Sequence, residues 1–380
     1  MKSIMTILFC FLVIEIIAQP FLIGTTEIVF YDELRDRNIP SLIHYPAEVV
    51  GSNTPVATGE FPILVFGHGF FMGVNSYENI RDHFVARGYI LVLPTTEGGF
   101  PDHGAFGADL AFLAQAMLTA GQDATSMFLA HVAPSTALMG HSMGGGASML
   151  GAASATAIQA VVNFAAAETD PSAIEAAGTI QVPTLMFAAA EDCVTPTEVH
   201  QQPMYDTLDL PCKALVNILG GGHCYFANTN AACEFGEFTC GPDLSITREQ
   251  QHSVMNDLAG LWLDHFLKGD EAAFGAFLDS TSMSTRLIAQ SNCIATSVGR
   301  GQVPDRPKFF PNPASGQINF NGITANARIS VSNGMGVTML DRVVGPENTI
   351  ETGEFANGIY WITIDDKSGR ATLPIIVLHE

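Results

Sequence analysis

The chain has 380 residues, too many for one ordinary domain and enough for a large catalytic-sized domain plus a small module. Asp and Glu outnumber Lys and Arg by 38 to 16, a formal net charge of −22. A surface of that sign repels nucleic acid and anionic membranes and argues against both as partners.

Taken in order, the chain opens with Lys2 and an almost wholly apolar run over residues 4–17, broken by Glu15 and short polar residues. This reads as a signal peptide, residues 1–18, with Ala18 before the cleavage point. The run is short for a membrane anchor, and no later stretch is long and apolar enough to span a bilayer. Cys10 leaves with the signal. Cys193, Cys212, Cys224, Cys233, Cys240 and Cys293 remain, an even number that reads as disulfides in an exported protein.

Residues 25–31 and 39–45 predict a hairpin around a polar turn. Residues 61–66 are a fully apolar strand ending in Gly67-His68-Gly69-Phe70. Helical spacing over 76–87 stops at Gly88, and 89–93 is the next apolar strand. A helix is expected over 105–119, a strand over 135–139, and a helix over 147–157. Strands follow at 160–164, 184–189 and 214–219, with helices near 197–208 and within 247–268. Continuous apolar strands alternating with helices predict a mostly parallel sheet covered on both faces. The functional site then lies at the carboxyl ends of the strands. After about residue 303 the prolines at 304, 307, 311 and 313 mark a boundary. Short alternating runs at 317–320, 327–331, 337–344 and 360–364 predict a small all-β module over 303–380, a sandwich. No internal repeat is present.

Gly140-His141-Ser142-Met143-Gly144 is a G-x-S-x-G stretch between a predicted strand and a predicted helix. That is the setting of a nucleophile elbow, where a serine sits on a strained turn and flanking side chains would clash. A serine hydroxyl needs a histidine to take its proton and an acid to orient that histidine. After an elbow the order is serine, acid, histidine, each just past a strand end. Asp192 follows the strand at 184–189, and His223 follows the strand at 214–219. Asp170 and Glu191 are competing acids. His200, His252 and His265 fall on predicted helices, and His103 and His131 near loops. For the oxyanion donors, the N–H of Met143 follows the nucleophile, and Phe70 N–H lies in the loop after an early strand. His68 and His141 are read as scaffold.

Residues 140–146, Val182-Pro183-Thr184-Leu185-Met186-Phe187-Ala188 and Gly220-Gly221-Gly222-His223-Cys224-Tyr225-Phe226-Ala227-Asn228 together resemble the α/β-hydrolases of the bacterial cutinase, polyester hydrolase (PETase-like) and dienelactone hydrolase group. The resemblance runs over about 25–295, within a domain set at 19–300. It implies an α/β-hydrolase fold and a serine ester hydrolase that needs no cofactor and no metal. It places Ser142, Asp192 and His223 in the triad, and Phe70 and Met143 in the oxyanion hole. The PETase-like enzymes carry a tryptophan after the strand that follows the elbow helix. Here residues 165–171 hold no aromatic, which weakens an aromatic polyester as substrate. The cysteines stand one residue from the family's usual places. A Cys193–Cys224 bridge would tie the acid loop to the base loop, Cys233–Cys240 would close a short loop, and Cys212 would meet Cys293. Six thiols allow fifteen pairings. A zinc site from His223, Cys224, Cys233 and Cys240 is the rival.

Phe309-Phe310-Pro311-Asn312-Pro313-Ala314-Ser315-Gly316 and Gly358-Ile359-Tyr360-Trp361-Ile362 resemble the type A sorting domain of the type IX secretion system, without its usual basic ending. This implies contact with the secretion machinery and a secreted or cell-surface protein. The expectation is a monomer acting on a small or polymeric ester. The alternatives are a peptidase or lactone hydrolase on the same fold, or a non-catalytic surface binding protein.

Overall fold

A computed structural model of the chain describes residues 20–238, 244–293 and, further on, 308–310, 314–321, 327–333, 338–343, 349–353, 355–356, 358–366 and 369–377. The expected signal peptide and the prolines at 304, 307, 311 and 313 lie outside the described residues. The chain divides into two compact units, Met1–Ala295 and Thr296–Glu380.

The first unit starts with β1 (Leu22–Asp32), β2 (Arg37–Ala47) and the two-residue β3 (Gly51–Ser52). Then come β4 (Phe61–Gly67), α1 (Glu78–Ala86), β5 (Ile90–Pro94), α2 (His103–Ala120), β6 (Val132–His141), α3 (Met143–Ser154) and β7 (Ala160–Phe164). The remainder is α4 (Ala173–Ala177), β8 (Thr184–Ala189), α5 (Gln201–Thr207), β9 (Lys213–Ile218), α6 (Ala231–Phe238), α7 (Arg248–Lys268), α8 (Glu271–Met283) and β10 (Leu287–Ser291). One sheet holds all ten strands in the order β10-β9-β8-β7-β6-β4-β5-β2-β1-β3. The run from β5 to β9 is parallel, and β2 and β10 join its two sides antiparallel. Every residue of β4, β5, β7 and β8 is buried, as strands covered on both faces require. The outer strands β1 and β10 mix buried and exposed positions instead.

Because side chains alternate along a strand, β4 feeds two cores. Leu64 and Phe66 join the rings of Phe84, Trp262 and Phe277 from α1, α7 and α8, while Ile63 and Val65 pack with Phe106, Leu110 and Met149 from α2 and α3. The helices begin where their caps dictate. Asp102 accepts the Ala105 N–H at 2.9 Å, and Asp270 those of Ala272 and Ala273. Thr247 and Gln250 form a reciprocal capping box on α7, which ends at Gly269 with φ 71°. No helix of the described residues is long and apolar enough to cross a membrane.

Among the described residues the second unit holds only β-strands as regular elements, in a three-stranded and a four-stranded antiparallel sheet. Ile318, Phe320, Ile329, Val331, Ile350, Ile362 and Ile364 form one shared core from both sheets. The alternation read at 317–320, 327–331 and 360–364 therefore points its apolar members inward.

Candidate active site

Ser142 stands between β6 and α3 with φ 55° and ψ −120°, a left-handed backbone that costs a non-glycine residue energy. The glycines around it are there for space. A Cβ on Gly144 would lie 2.1 Å from the Gly67 carbonyl oxygen, and one on Gly140 would lie 2.2 Å from the Gly144 oxygen. The turn at Ser142 and the end of β4 are thus in backbone contact, which sets the serine beside the loop that carries Phe70.

Asp192 follows β8 and is buried. Its Oδ1 accepts the N–H groups of Val194 (2.9 Å) and Thr195 (2.8 Å), and its Oδ2 accepts Nδ1–H of His223 at 2.8 Å. Burial pushes this carboxyl up, but the His223 ring and the Thr195 bonds outweigh it and hold it below the usual carboxylate range. Thr195 was not singled out in the sequence. Its hydroxyl lies 2.8 Å from Asp192 Oδ2, 3.1 Å from His223 Nδ1 and 3.2 Å from the Ala165 oxygen. The rival acids lie elsewhere: Glu191 is exposed, and Asp170 engages His103 through its backbone.

His223 opens a single 3₁₀ turn, His223–Phe226, after β9 and is 2 % exposed. Its loop is held by α7. Gln251 donates to the Gly222 carbonyl (2.9 Å) and accepts the Gly222 N–H (3.1 Å), and Arg248 donates to the carbonyls of Cys224 and Ala227. A Cβ on Gly221 would meet Gln251 Oε1 at 2.4 Å, so the glycine run admits this clamp. The loops that carry Asp192 and His223 are joined by backbone, with Glu191 N–H donating to the Gly221 oxygen at 3.0 Å. None of the hydrogen bonds of the described residues joins Ser142 Oγ to the His223 ring.

His141 is fully buried between these parts. Its Nε2 faces the His223 carbonyl at 3.1 Å, so Nε2 carries the hydrogen and Nδ1 accepts from Tyr77 Oη at 3.0 Å. Tyr77 in turn accepts the Gly69 N–H at 2.8 Å. Burial drives the His141 imidazolium far below its ordinary range and keeps the ring neutral. The scaffold histidine thereby connects the loop before Phe70 to the loop of His223.

Ser142, Met143 and Phe70 line one cleft of about 370 Å³. Among the described residues no acceptor takes the Met143 or Phe70 N–H. His103 and His200, read from sequence as a loop and a helix residue, also line this cleft. His200 Nδ1 accepts the Glu168 N–H at 2.9 Å, and burial lowers its pKa.

The disulfides differ from expectation. Cys212 pairs with Cys293, but Cys224 pairs with Cys233, so neither a Cys193–Cys224 nor a Cys233–Cys240 bridge forms. The 3₁₀ turn sends His223 toward Asp192 and the next side chain, Cys224, into the core beneath α6, where Cys233 lies. Cys193 is exposed and disulfide-bonded as well. With their sulfurs in a bridge, Cys224 and Cys233 supply no thiolates to a zinc ion. Cys240 lies outside the described residues.

The PET hydrolase-like family model matches residues 41–240, more than half of the chain. The chain belongs to the PET hydrolase-like family. No curated protein matches it. The family match spans β4, the elbow, both loops of the Asp192–His223 pair and the Phe70 loop. Residues 308–378 match the secretion system C-terminal sorting domain, so this PET hydrolase-like protein is an α/β-hydrolase exported by the type IX route to the cell surface or the extracellular space.

Proposed function

We propose that the protein is a serine hydrolase of carboxylic esters in which Ser142 is the nucleophile, His223 the general base and acid, and Asp192 the residue that orients it. The observation that carries this reading is the buried Asp192 Oδ2–His223 Nδ1 bond of 2.8 Å beside a serine on a left-handed elbow. Because Nδ1–H is committed to Asp192, the lone pair of neutral His223 is on Nε2, where it accepts the serine proton. The hydroxyl–imidazole contact tightens when substrate binds, as is common for free enzymes.

Ser142 Oγ attacks the ester carbonyl carbon as its proton passes to Nε2. The resulting imidazolium is stabilised by the Asp192 carboxylate, and the oxyanion is met by the N–H groups of Met143 and Phe70. Collapse expels the alcohol, which takes the proton from Nε2. Water then attacks the acyl-enzyme with His223 again as base, releasing the acid and restoring Ser142. The two N–H donors need no reorganisation because both are backbone groups with no other partner among the described residues.

The test is turnover of p-nitrophenyl acetate and butyrate by the full chain. The expected result is hydrolysis that Ser142→Ala lowers by about 10⁴-fold or more, together with loss of labelling by a fluorophosphonate serine probe. Retained turnover in Ser142→Ala would sink the assignment.

A further inference from the structure

The Phe70 N–H shares its peptide group with the Gly69 carbonyl, and in a trans peptide the two point in opposite directions. Among the described residues only Asp170-Pro171 is cis. Whatever holds the Gly69 oxygen therefore aims the Phe70 N–H. Two donors hold it. The Met72 N–H reaches it at 3.0 Å and closes a tight turn over Gly69–Met72. His68 Nδ1 reaches the same oxygen at 3.0 Å. Phe71, third in the turn, takes φ 54°, a backbone conformation that glycine normally supplies at that place. The turn is thus formed against the preference of a bulky side chain. His68 is buried, and its Nε2 stands 2.8 Å from the Thr96 carbonyl oxygen in the loop between β5 and α2. Neither carbonyl can donate, so the hydrogen of each contact comes from the ring. The amide before the peptide is fixed as well. Tyr77 Oη accepts the Gly69 N–H at 2.8 Å, and a Cβ on Gly69 would lie 2.7 Å from Met72 Sδ and 3.1 Å from Tyr77 Oη.

We propose that His68 is a positioning residue for the oxyanion site: its Nδ1–H holds the Gly69 carbonyl away from the Ser142 cleft and so keeps the Phe70 N–H turned into it. This rests on the esterase reading above and adds the group that presets one of its two donors. Phe70 lines the cleft, and its N–H has no acceptor among the described residues. With both lone pairs of the Gly69 oxygen occupied, a flip of the Gly69–Phe70 peptide breaks two hydrogen bonds at once. The flipped peptide would also present a carbonyl oxygen where the developing negative charge needs a donor. Donation to the carbonyl polarises the peptide, which makes its N–H the stronger donor. His68 does not line the cleft, so its influence on the reaction passes through this one peptide. A purely structural role for His68 would run through Nε2, which fastens the Phe70 loop to the Thr96 loop. The two roles use different nitrogens and are therefore separable.

An asparagine amide nitrogen takes the place of Nδ1, and a glutamine amide nitrogen that of Nε2. In the full chain, His68→Asn therefore keeps the donor to Gly69 and loses the one to Thr96, while His68→Gln does the reverse. The measurements are kcat and KM on p-nitrophenyl butyrate, with folded sites counted by fluorophosphonate titration, and the urea midpoint of each variant. A trifluoromethyl ketone, whose serine adduct carries an oxyanion, reads the oxyanion site directly. The expected result for His68→Gln is a fall in kcat of at least about tenfold, KM within about twofold of the parent, and a parallel loss of ketone affinity. His68→Asn should restore kcat and ketone affinity to within about threefold of the parent. The reverse order overturns the proposal, and so do equal losses that follow the urea midpoint. A parent that hydrolyses no ester overturns the esterase reading and this proposal with it, whereas an active parent with the reverse order overturns this proposal alone.

Discussion

Nδ1 of His223 lies 2.8 Å from Oδ2 of Asp192, and the Thr195 hydroxyl touches both partners, at 2.8 Å from the carboxylate and 3.1 Å from the ring. Replacing Asp192 by Asn keeps the shape but removes the charge and favours the wrong tautomer. The expected loss is about 10³–10⁴ in kcat with KM little changed. Thr195→Val removes one hydrogen bond to a charged group, worth about 1.5 kcal/mol, so kcat falls about tenfold. Steady-state kinetics on p-nitrophenyl butyrate check both, and a pH–rate profile distinguishes misplacement of the ring from general damage.

Gln251 holds the backbone of Gly222 in both directions from the buried side of α7. Gln251→Leu leaves a buried N–H and a buried carbonyl without partners, which costs about 2–4 kcal/mol. Because the neighbouring residue is His223, kcat should fall together with the urea midpoint. A variant that loses stability but keeps full kcat would show that the clamp does not position the base.

The two bridges differ in what they do. Cys212–Cys293 closes a separation of 81 residues and Cys224–Cys233 one of 9. Loop-closure entropy gives about 4.5 kcal/mol for the long loop and about 2.5 for the short one. Cys212→Ser/Cys293→Ser should therefore lower the melting temperature more. Cys224→Ser/Cys233→Ser should reduce ester turnover more, because Cys224 follows His223. Calorimetry and kinetics on the two double variants decide it.

One buried and one half-buried histidine, His44 and His83, make the fold acid-sensitive. Burial depresses His44 and His83 to about 4, each with a nearby arginine adding to the effect. The unfolded chain titrates these groups near 6.5, so between that value and 4 it binds more protons than the folded chain. Stability is complete above pH 6.5 and falls as pH drops toward 4, by up to about 3 kcal/mol per histidine. His44→Gln and His83→Gln should each flatten the urea midpoint measured from pH 7.5 to 4.5.

Much of the sheet was legible in the sequence. The strands read at 160–164 and 184–189 are β7 and β8 to the residue, because buried parallel strands are continuous apolar runs with sharp polar ends. The edge strand β10 was missed, since Leu287-Ile288-Ala289-Gln290-Ser291 has one buried residue and draws its strand character from pairing with β9. The helices α4, α6 and α8 were missed too. The first two are short, and α8 is interrupted by Gly275 and ends in Ser and Thr, so their helicity comes from caps and packing. At the site, the positions of Ser142, Asp192 and His223 past β6, β8 and β9 followed from motif order. Thr195, Gln251 and the Tyr77–His141 connection did not, because each depends on side chains that meet across distant segments. The pairing of Cys224 was hidden for a related reason. It is decided by the direction in which one 3₁₀ turn sends two successive side chains, and spacing carries no information on that.

The contact between Gly144 and the Gly67 carbonyl has a consequence for how this protein diversifies. Under the proposed function, Ser142 Oγ and the N–H donors that would meet the oxyanion are spaced by main chain against main chain. Replacement of residues around the rim alters which molecules are admitted while the reacting distance stays as it was. Substrate choice can drift here without the chemistry being rebuilt.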